Sequence, residues 1–224
     1  GKYLVFSKAE LDSNNPDWCV NACWGTDAAQ AVSSVFGDAP GGRLDAHSGD
    51  GFVVVQLDEQ GQQFECQIDS SRRDDLVQAL ALTGVAADEA GWRTLQAQAG
   101  IARIESATIE EFVPQMLNYD ATGHVSFTKG CYTGQEVVAR LHYRGVPKRR
   151  LYLARWRGGT TEPGTPLYRP GHGQSVGSLV NNVAIDDAVV GLVTSTREGI
   201  EAGLHLGAED GPLLAIETLP YPLP

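Results

Sequence analysis

Alternation of apolar and polar residues marks short stretches of this chain, and these predict its elements. Phe52 to Leu57 reads as a strand, Asp58-Glu59-Gln60-Gly61 as a hairpin turn, and Gln63 to Ile68 as the returning strand. Phe64, Cys66 and Ile68 fall on one face of that strand, so Cys66 reads as core. Trp18 to Trp24 predicts a strand of mixed pattern, and residues 3–8 another, with a turn over 12–17. Thr26 or Asp27 caps a helix that runs to about Phe36 and stops at Gly37. Asp38 to Asp50, rich in Gly, Pro and Asp, predicts a loop. Ser70 or Ser71 caps a further helix that ends near Leu82.

Residues 88–100 predict a helix that starts at Asp88 or Glu89, followed by a short strand or extended piece over 101–104. Pro114 is expected to end any regular element there, leaving 114–118 extended and lining a pocket. Val125 to Thr128 reads as a strand. Beyond Pro147 the pattern changes. Arg149 to Trp156, Thr165 to Arg169, Ser175 to Val183, Ala188 to Thr196 and Leu213 to Leu219 are short strands separated by Gly and Pro, with no helical period. Such a run predicts a small antiparallel barrel or sandwich with its boundary near Val146. The β-α-β-β-α order of the first part matches half of a ferredoxin-like fold with its last strand unassigned.

Composition narrows the class. An apolar content of 42% over 224 residues is that of a globular chain able to bury a core. No run of 18 apolar residues is present, so no membrane partner or spanning helix is expected. Four cysteines, Cys19, Cys23, Cys66 and Cys131, are too sparse and irregular for a secreted disulfide scaffold. Free thiols in a reducing cytoplasm are the expectation. Cys19 and Cys23 lack a second ligand pair at zinc spacing, so no metal site is expected. A net charge of −11 argues against direct nucleic-acid binding by the whole surface. No Ser-His-Asp or HExxH arrangement supports a hydrolase. Residue 1 is Gly, the only Met is Met116, and a strand is expected from residue 3. A chain that opens inside a sheet predicts missing preceding sequence.

Charge is concentrated in one place. From Lys129 to Arg157, eight of the 17 Lys and Arg meet one of the 28 acids, Glu136. That local charge of +7 leaves −18 for the rest of the chain. The stretch opens KGCYTGQEVVARLHYRGVPKRR, from Lys129 to Arg150. Thr133-Gly134-Gln135-Glu136 has capping-box spacing, which would place Cys131 just before a helix start and Arg140 toward its C-terminal end. Unpaired N–H groups, the helix dipole and Lys129 would favour a thiolate at Cys131, while Gly130 and Gly134 allow close approach. A small anionic ligand beside a reactive thiol is one reading. A buried cysteine at an ordinary strand-to-helix corner is the other. The cations likewise read as a solvated face, a phosphate-tracking patch for tRNA, or a set of partners for carboxylates. On the strand from Arg149, alternation puts Arg149, Leu151, Leu153, Arg155 and Arg157 on one side and Arg150, Tyr152, Ala154 and Trp156 on the other, so the cations cannot all line one pocket.

The string KGCYTGQE followed by VVAR, HYRG and KRR resembles the signature of the YgfZ family, folate-binding proteins related to the glycine-cleavage T-protein. FVPQMLNYDATGHVSFTKG upstream and IETLPY near the C-terminus extend the likeness across essentially the whole chain. The resemblance implies a T-protein-like α+β architecture around a central folate cavity, in a protein with a further N-terminal segment. It implies tetrahydrofolate or a folate derivative as cofactor and Cys131 as the signature, catalytic-type residue. Lys129, Arg140 and Arg144 would lie near the ligand, with His142 close by. Gln115, Asn118, Gln135 and Glu136 would read the pterin edge, Tyr132 would stack on it, and Gly134 would let it approach.

On this reading residues 1–146 form an α+β folate-binding region. Residues 1–12 are a remnant strand of an N-terminal domain, 13–84 a ferredoxin-like piece and 85–146 a connecting segment with the signature. Residues 147–224 form the barrel. The implied function is an accessory factor for assembly or repair of iron–sulfur clusters, with iron–sulfur proteins or assembly factors as partners and an indirect link to tRNA-modifying enzymes. A tetrahydrofolate-dependent aminomethyl transferase and a direct tRNA-binding module are the alternatives. The glycine-cleavage enzymes lack the KGCY cysteine, which separates the first alternative from the main reading.

Overall fold

The structure, a computed structural model, describes residues 17–223. The strand expected over 3–8 and nearly all of the turn expected over 12–17 lie outside the described residues. The chain divides into two compact units between Ala87 and Asp88, not near Val146.

The first unit runs β1 (Trp18–Trp24), α1 (Ala28–Phe36), β2 (Ala46–Gly49), β3 (Phe52–Gln56), β4 (Gln63–Asp69) and α2 (Arg73–Ala81). Its sheet is antiparallel in the order β1-β4-β3-β2. β4 alternates as its sequence requires, with Phe64, Cys66 and Ile68 fully buried. Val54, Leu76 and Ala28, Val32 and Phe36 of α1 close over them, and Cys19 and Cys23 pack at the edge of the same cluster. Burial pushes the Cys66 thiol up to about 12, with Cys23 and Glu65 adding to the effect. Gly37 ends α1 in the left-handed region at φ 88°, and its N–H reaches the Ser33 carbonyl. His47 Nε2 lies 3.1 Å from the Phe36 carbonyl at the same helix end.

Two expectations fail here for local reasons. β2 occupies the predicted loop because Ala46-His47-Ser48-Gly49 is held by backbone register to β3 and not by apolar alternation. Neither Ser70 nor Ser71 caps α2. The Ser71 N–H and hydroxyl both go to the Asp69 carboxylate, at 2.8 and 2.6 Å, and hold that carboxyl below its ordinary range.

The second unit begins with α3 (Glu89–Gln98), N-capped by Asp88, whose carboxylate accepts the Gly91 N–H at 3.1 Å. α4 (Gln135–Arg144) precedes β5 (Arg150–Trp156), β6 (Pro166–Tyr168), β7 (Gly177–Ile185), β8 (Ala188–Ser195), α5 (Arg197–Ala202), β9 (Leu204–Leu206) and β10 (Leu213–Glu217). The strands close an antiparallel barrel in the order β10-β5-β8-β7-β6-β9. α5 and β9 have no counterpart in the sequence pattern. α5 forms because Thr196 caps it through the Gly199 N–H at 3.1 Å.

β5 is buried on both faces. Ala154 and Trp156 enter the barrel interior with Leu167, Leu179, Val193 and Leu204. Leu151 and Leu153 face outward, with Val180, Val190 and Leu192, beneath Ala97, Ala102 and Leu117. A bulge between Leu179 and Asn181 turns Val180 to this outer layer. The Asn181 amide then brackets Arg103, accepting its N–H at 2.7 Å and donating to its carbonyl at 2.8 Å. The segment over 101–104 therefore runs along the barrel wall without being a strand. This outer apolar layer is why 88–146 belongs to the barrel unit.

Candidate functional site

The signature lies on α4 and the loop before it. Gly134 heads the helix at φ 86°, a conformation that requires glycine. The Thr133–Glu136 capping box does not form, and α4 has no side-chain cap. Gln135 reaches back instead, its Oε1 accepting the Tyr132 N–H at 3.0 Å. Glu136 is exposed in the first turn, and α4 continues to Arg144, so Arg140 sits mid-helix.

Cys131 is exposed in the loop, four residues before α4. The buried-corner reading of this thiol is thereby excluded. The strand expected at Val125 to Thr128 is absent. Ser126 Oγ instead accepts the N–H groups of Thr128 and Lys129, at 3.4 and 3.2 Å, which folds the segment into a turn. Lys129 Nζ lies 4.9 Å from the centre of the Tyr132 ring. Phe127 stacks on His142 at 3.6 Å, with Tyr143 at their edge.

Gln115 and Asn118 do not join this exposed group. Pro114 opens a 3-10 turn over Pro114–Leu117 rather than ending one, because a missing N–H is harmless at the first position. Asn118 closes the turn at φ 57° and is fully buried. Its amide donates to the Leu151 carbonyl at 3.0 Å and accepts the Leu151 N–H at 3.3 Å, so both polar groups are committed to β5. Asn118 is a structural residue, and its assignment to a pterin edge is corrected. Gln115, also buried, donates through Nε2 to the Val138 carbonyl at 2.7 Å and so ties α4 to the barrel wall. Its Oε1 is buried with no hydrogen-bond partner among the described residues.

The sequence missed the pair that seats this turn. Arg150 donates to Asp120 Oδ1 at 2.6 Å and to the Gln115 carbonyl at 3.1 Å. Alternation had already placed Arg150 with Tyr152, Ala154 and Trp156, and a cation on that face needs a partner. That signal was available.

The charges divide sharply. In this unit Arg93, Arg103, Arg150, Arg155, Arg157 and Arg197 make ion pairs, and Arg169 makes none but reaches the His172 ring at 3.1 Å. Among the described residues, Lys129, Arg140, Arg144, Lys148 and Arg149 make none. Glu136 and Arg140 stand four apart in the orientation that favours pairing, yet they do not pair. Val138 is the buried residue of α4, while Val137, Tyr143 and the following Val146 are 58, 69 and 86% exposed. The site is therefore an open cationic face with an accessible thiol. A concavity of about 610 Å³, lined by Trp156, Arg157, Asp187 and Leu213 among others, holds none of its residues. Among the described residues no group of three or more His, Cys, Asp or Glu is placed to hold a metal ion. No described helix is long and apolar enough to cross a membrane.

No protein-family model matches the chain. It is 31% identical over 230 residues to the tRNA-modifying protein YgfZ of Yersinia pestis (strain Pestoides F), covering 99% of this chain and 68% of that protein. To the tRNA-modifying protein YgfZ of Klebsiella pneumoniae (strain 342) it is 30% identical over 234 residues, covering 99% and 69%. Among solved structures it resembles the glycine cleavage system aminomethyltransferase T from Bartonella henselae, with a TM-score of 0.58 at 16% identity. That likeness covers 91% of this chain and 59% of the other, and it establishes the T-protein-like α+β fold with its barrel.

Proposed function

The chain belongs to the YgfZ family, and from that premise we propose that it is a folate-binding accessory protein. It supports assembly or repair of iron–sulfur clusters and, through cluster-dependent enzymes, tRNA modification. The tRNA link is drawn from the name its relatives carry. The iron–sulfur part is what the family resemblance implies.

The observation that carries the folate reading is the set of unpaired cations in the same stretch as an exposed thiol. Folate presents a polar pterin and a carboxylate tail. Lys129, Arg140 and Arg144 supply free positive charge for the tail. Tyr132 supplies a ring for the pterin. The residues present thus fit such a ligand, and Cys131 lies within the same stretch. When bound, the folate would supply one-carbon chemistry. The chain's own part is to hold the carboxylates, orient the ring and present the thiol.

Calorimetric titration with tetrahydrofolate tests the proposal. Wild type is expected to bind, Arg144→Ala to bind more weakly, and Cys131→Ser to bind as wild type while losing its support of cluster-dependent activity. Absence of binding by wild type overturns it. A folate-dependent aminomethyl transferase is a second reading, favoured by the fold. Turnover of an aminomethyl donor by Cys131→Ser at the wild-type rate would select it.

A further inference from the structure

The concavity of about 610 Å³ lies where three pieces of the barrel meet: the end of β5, the β7–β8 turn and the start of β10. Ile185 pairs with Ala188, so the two-residue turn Asp186-Asp187 joins β7 to β8, with Asp186 at φ 53°. That tight turn fixes Asp187 at the mouth. Ahead of β10, the Leu206 N–H donates to the Pro212 carbonyl at 3.0 Å, and His205 Nδ1 lies 2.8 Å from the Gly211 carbonyl. Leu214 and Ile216 turn into the barrel interior, which leaves Leu213 and Ala215 on the outer face. Ala215 stands opposite Arg155 in register, and alternation puts Arg157 on the same face as Arg155. Arg155 commits Nε to Glu217 at 2.8 Å, and among the described residues its two Nη groups make no hydrogen bond. Arg157 and Asp187 are both almost wholly exposed and stand 4.0 Å apart, too far for a hydrogen bond. Leu213, also exposed, lines the same hollow.

We propose that this concavity binds a free α-amino acid with an apolar side chain. The guanidinium N–H groups of Arg155 and Arg157 donate to its carboxylate, Asp187 accepts from its ammonium, and Pro212, Leu213 and Ala215 cover its side chain. Charge decides the class. The two arginines are set against Asp187 and, behind Arg155, Glu217, so the wall is neutral as a whole. A bare anion would leave Asp187 facing a like charge, and a bare cation would face two guanidinium groups. A zwitterion meets both signs and adds no net charge. The apolar wall then selects the side chain, because covering Leu213 removes apolar area from water and glycine has nothing to cover it with. The volume falls in the range of small-molecule sites. No residue of the signature stretch from Lys129 to Arg150 lines the hollow, so the proposal stands apart from the folate reading.

The test is calorimetry with L-phenylalanine, glycine, 3-phenylpropionate, which lacks the ammonium, and phenylalaninamide, which lacks the carboxylate. Wild type is compared with Arg157→Ala and Asp187→Ala, exposed positions where truncation leaves the fold intact. Wild type is expected to bind L-phenylalanine with a Kd at or below about 1 mM. Glycine should bind at least about tenfold more weakly, for want of a side chain. Each variant should lose about fivefold in affinity for L-phenylalanine. The losses should also be selective. Asp187→Ala should bind 3-phenylpropionate no worse than wild type, and Arg157→Ala should bind phenylalaninamide no worse than wild type. Absence of binding of L-phenylalanine at about 10 mM overturns the proposal. So does 3-phenylpropionate or glycine binding as tightly as L-phenylalanine, or either variant binding L-phenylalanine as wild type does. Each of these outcomes leaves folate binding standing, since that is read from tetrahydrofolate at the signature stretch.

Discussion

α3 and α4 are both ten-residue helices on the barrel unit, and they treat their charges in opposite ways. α3 is capped by Asp88, lays Ala97 into the outer apolar layer and pairs Arg93 with Glu89 at 2.8 Å. Arg103 joins the same acid at 3.4 Å. α4 has no side-chain cap, and its Glu136 and Arg140 stand apart. Gln115 ties it down through Val138, while Val137 and Tyr143 stay in solvent. Local propensity does not explain the difference, since both carry an acid in the first turn and a basic residue on a following one. α3 is satisfied within the chain. α4 leaves hydrogen-bonding capacity, charge and apolar area unused.

The thiols give the largest expected contrast. Cys131 is exposed, whereas Cys66 is fully buried and raised to about 12. Iodoacetamide at neutral pH, followed by peptide mass analysis of the folded protein, should label Cys131 at least about a hundredfold faster, because only an accessible thiolate reacts. Equal rates would remove the idea that the signature presents a usable sulfur.

The next contrast is in stability. Asp120 and Arg150 have side chains 7 and 14% exposed, and removing one leaves the other charge buried. Asp120→Ala should cost about 3 kcal/mol in urea denaturation followed by tryptophan fluorescence. Arg144→Ala, unpaired and exposed, should stay within about 0.5 kcal/mol of wild type. A large loss for Arg144→Ala would mean that α4 uses its cations for folding, and the two helices would then differ less than their geometry suggests.

Much of the fold could be read from the sequence wherever period and burial agree. β3, β4, β5, β7 and β8 each alternate or run apolar, and the barrel followed from them. β2 could not be read, because its register is set by β3 and its own residues carry no pattern. The site was legible in composition and only partly in geometry. The cation cluster and Cys131 stand out in the chain. The roles of Gln115 and Asn118 depend on carbonyls 23 and 33 residues away, which no local pattern reveals. The Thr133–Glu136 spacing satisfies the capping-box rule, yet Gln135 makes the reach-back bond. A motif can be present while its neighbour performs the task.

The smallest effect bears most directly on the two helices. The hydrogen bond from Arg93, and then its charge, hold the Glu89 carboxyl below the ordinary glutamate range, with Arg103 adding to both. A carboxyl depressed on folding stabilises the folded state above its unfolded pKa, near 4.5, and loses that contribution as pH falls through the lower folded value. Glu89→Gln should therefore lower the thermal midpoint slightly at pH 7, and the gap to wild type should close as pH drops below about 4.5. Salt should also narrow it, because the pair is exposed. Glu136→Gln, in the first turn of α4, should leave the thermal midpoint at pH 7 unchanged. A lowered midpoint in Glu136→Gln would mean that Glu136 pairs with Arg140 in solution. Arg140 would then no longer count among the unpaired cations of the site.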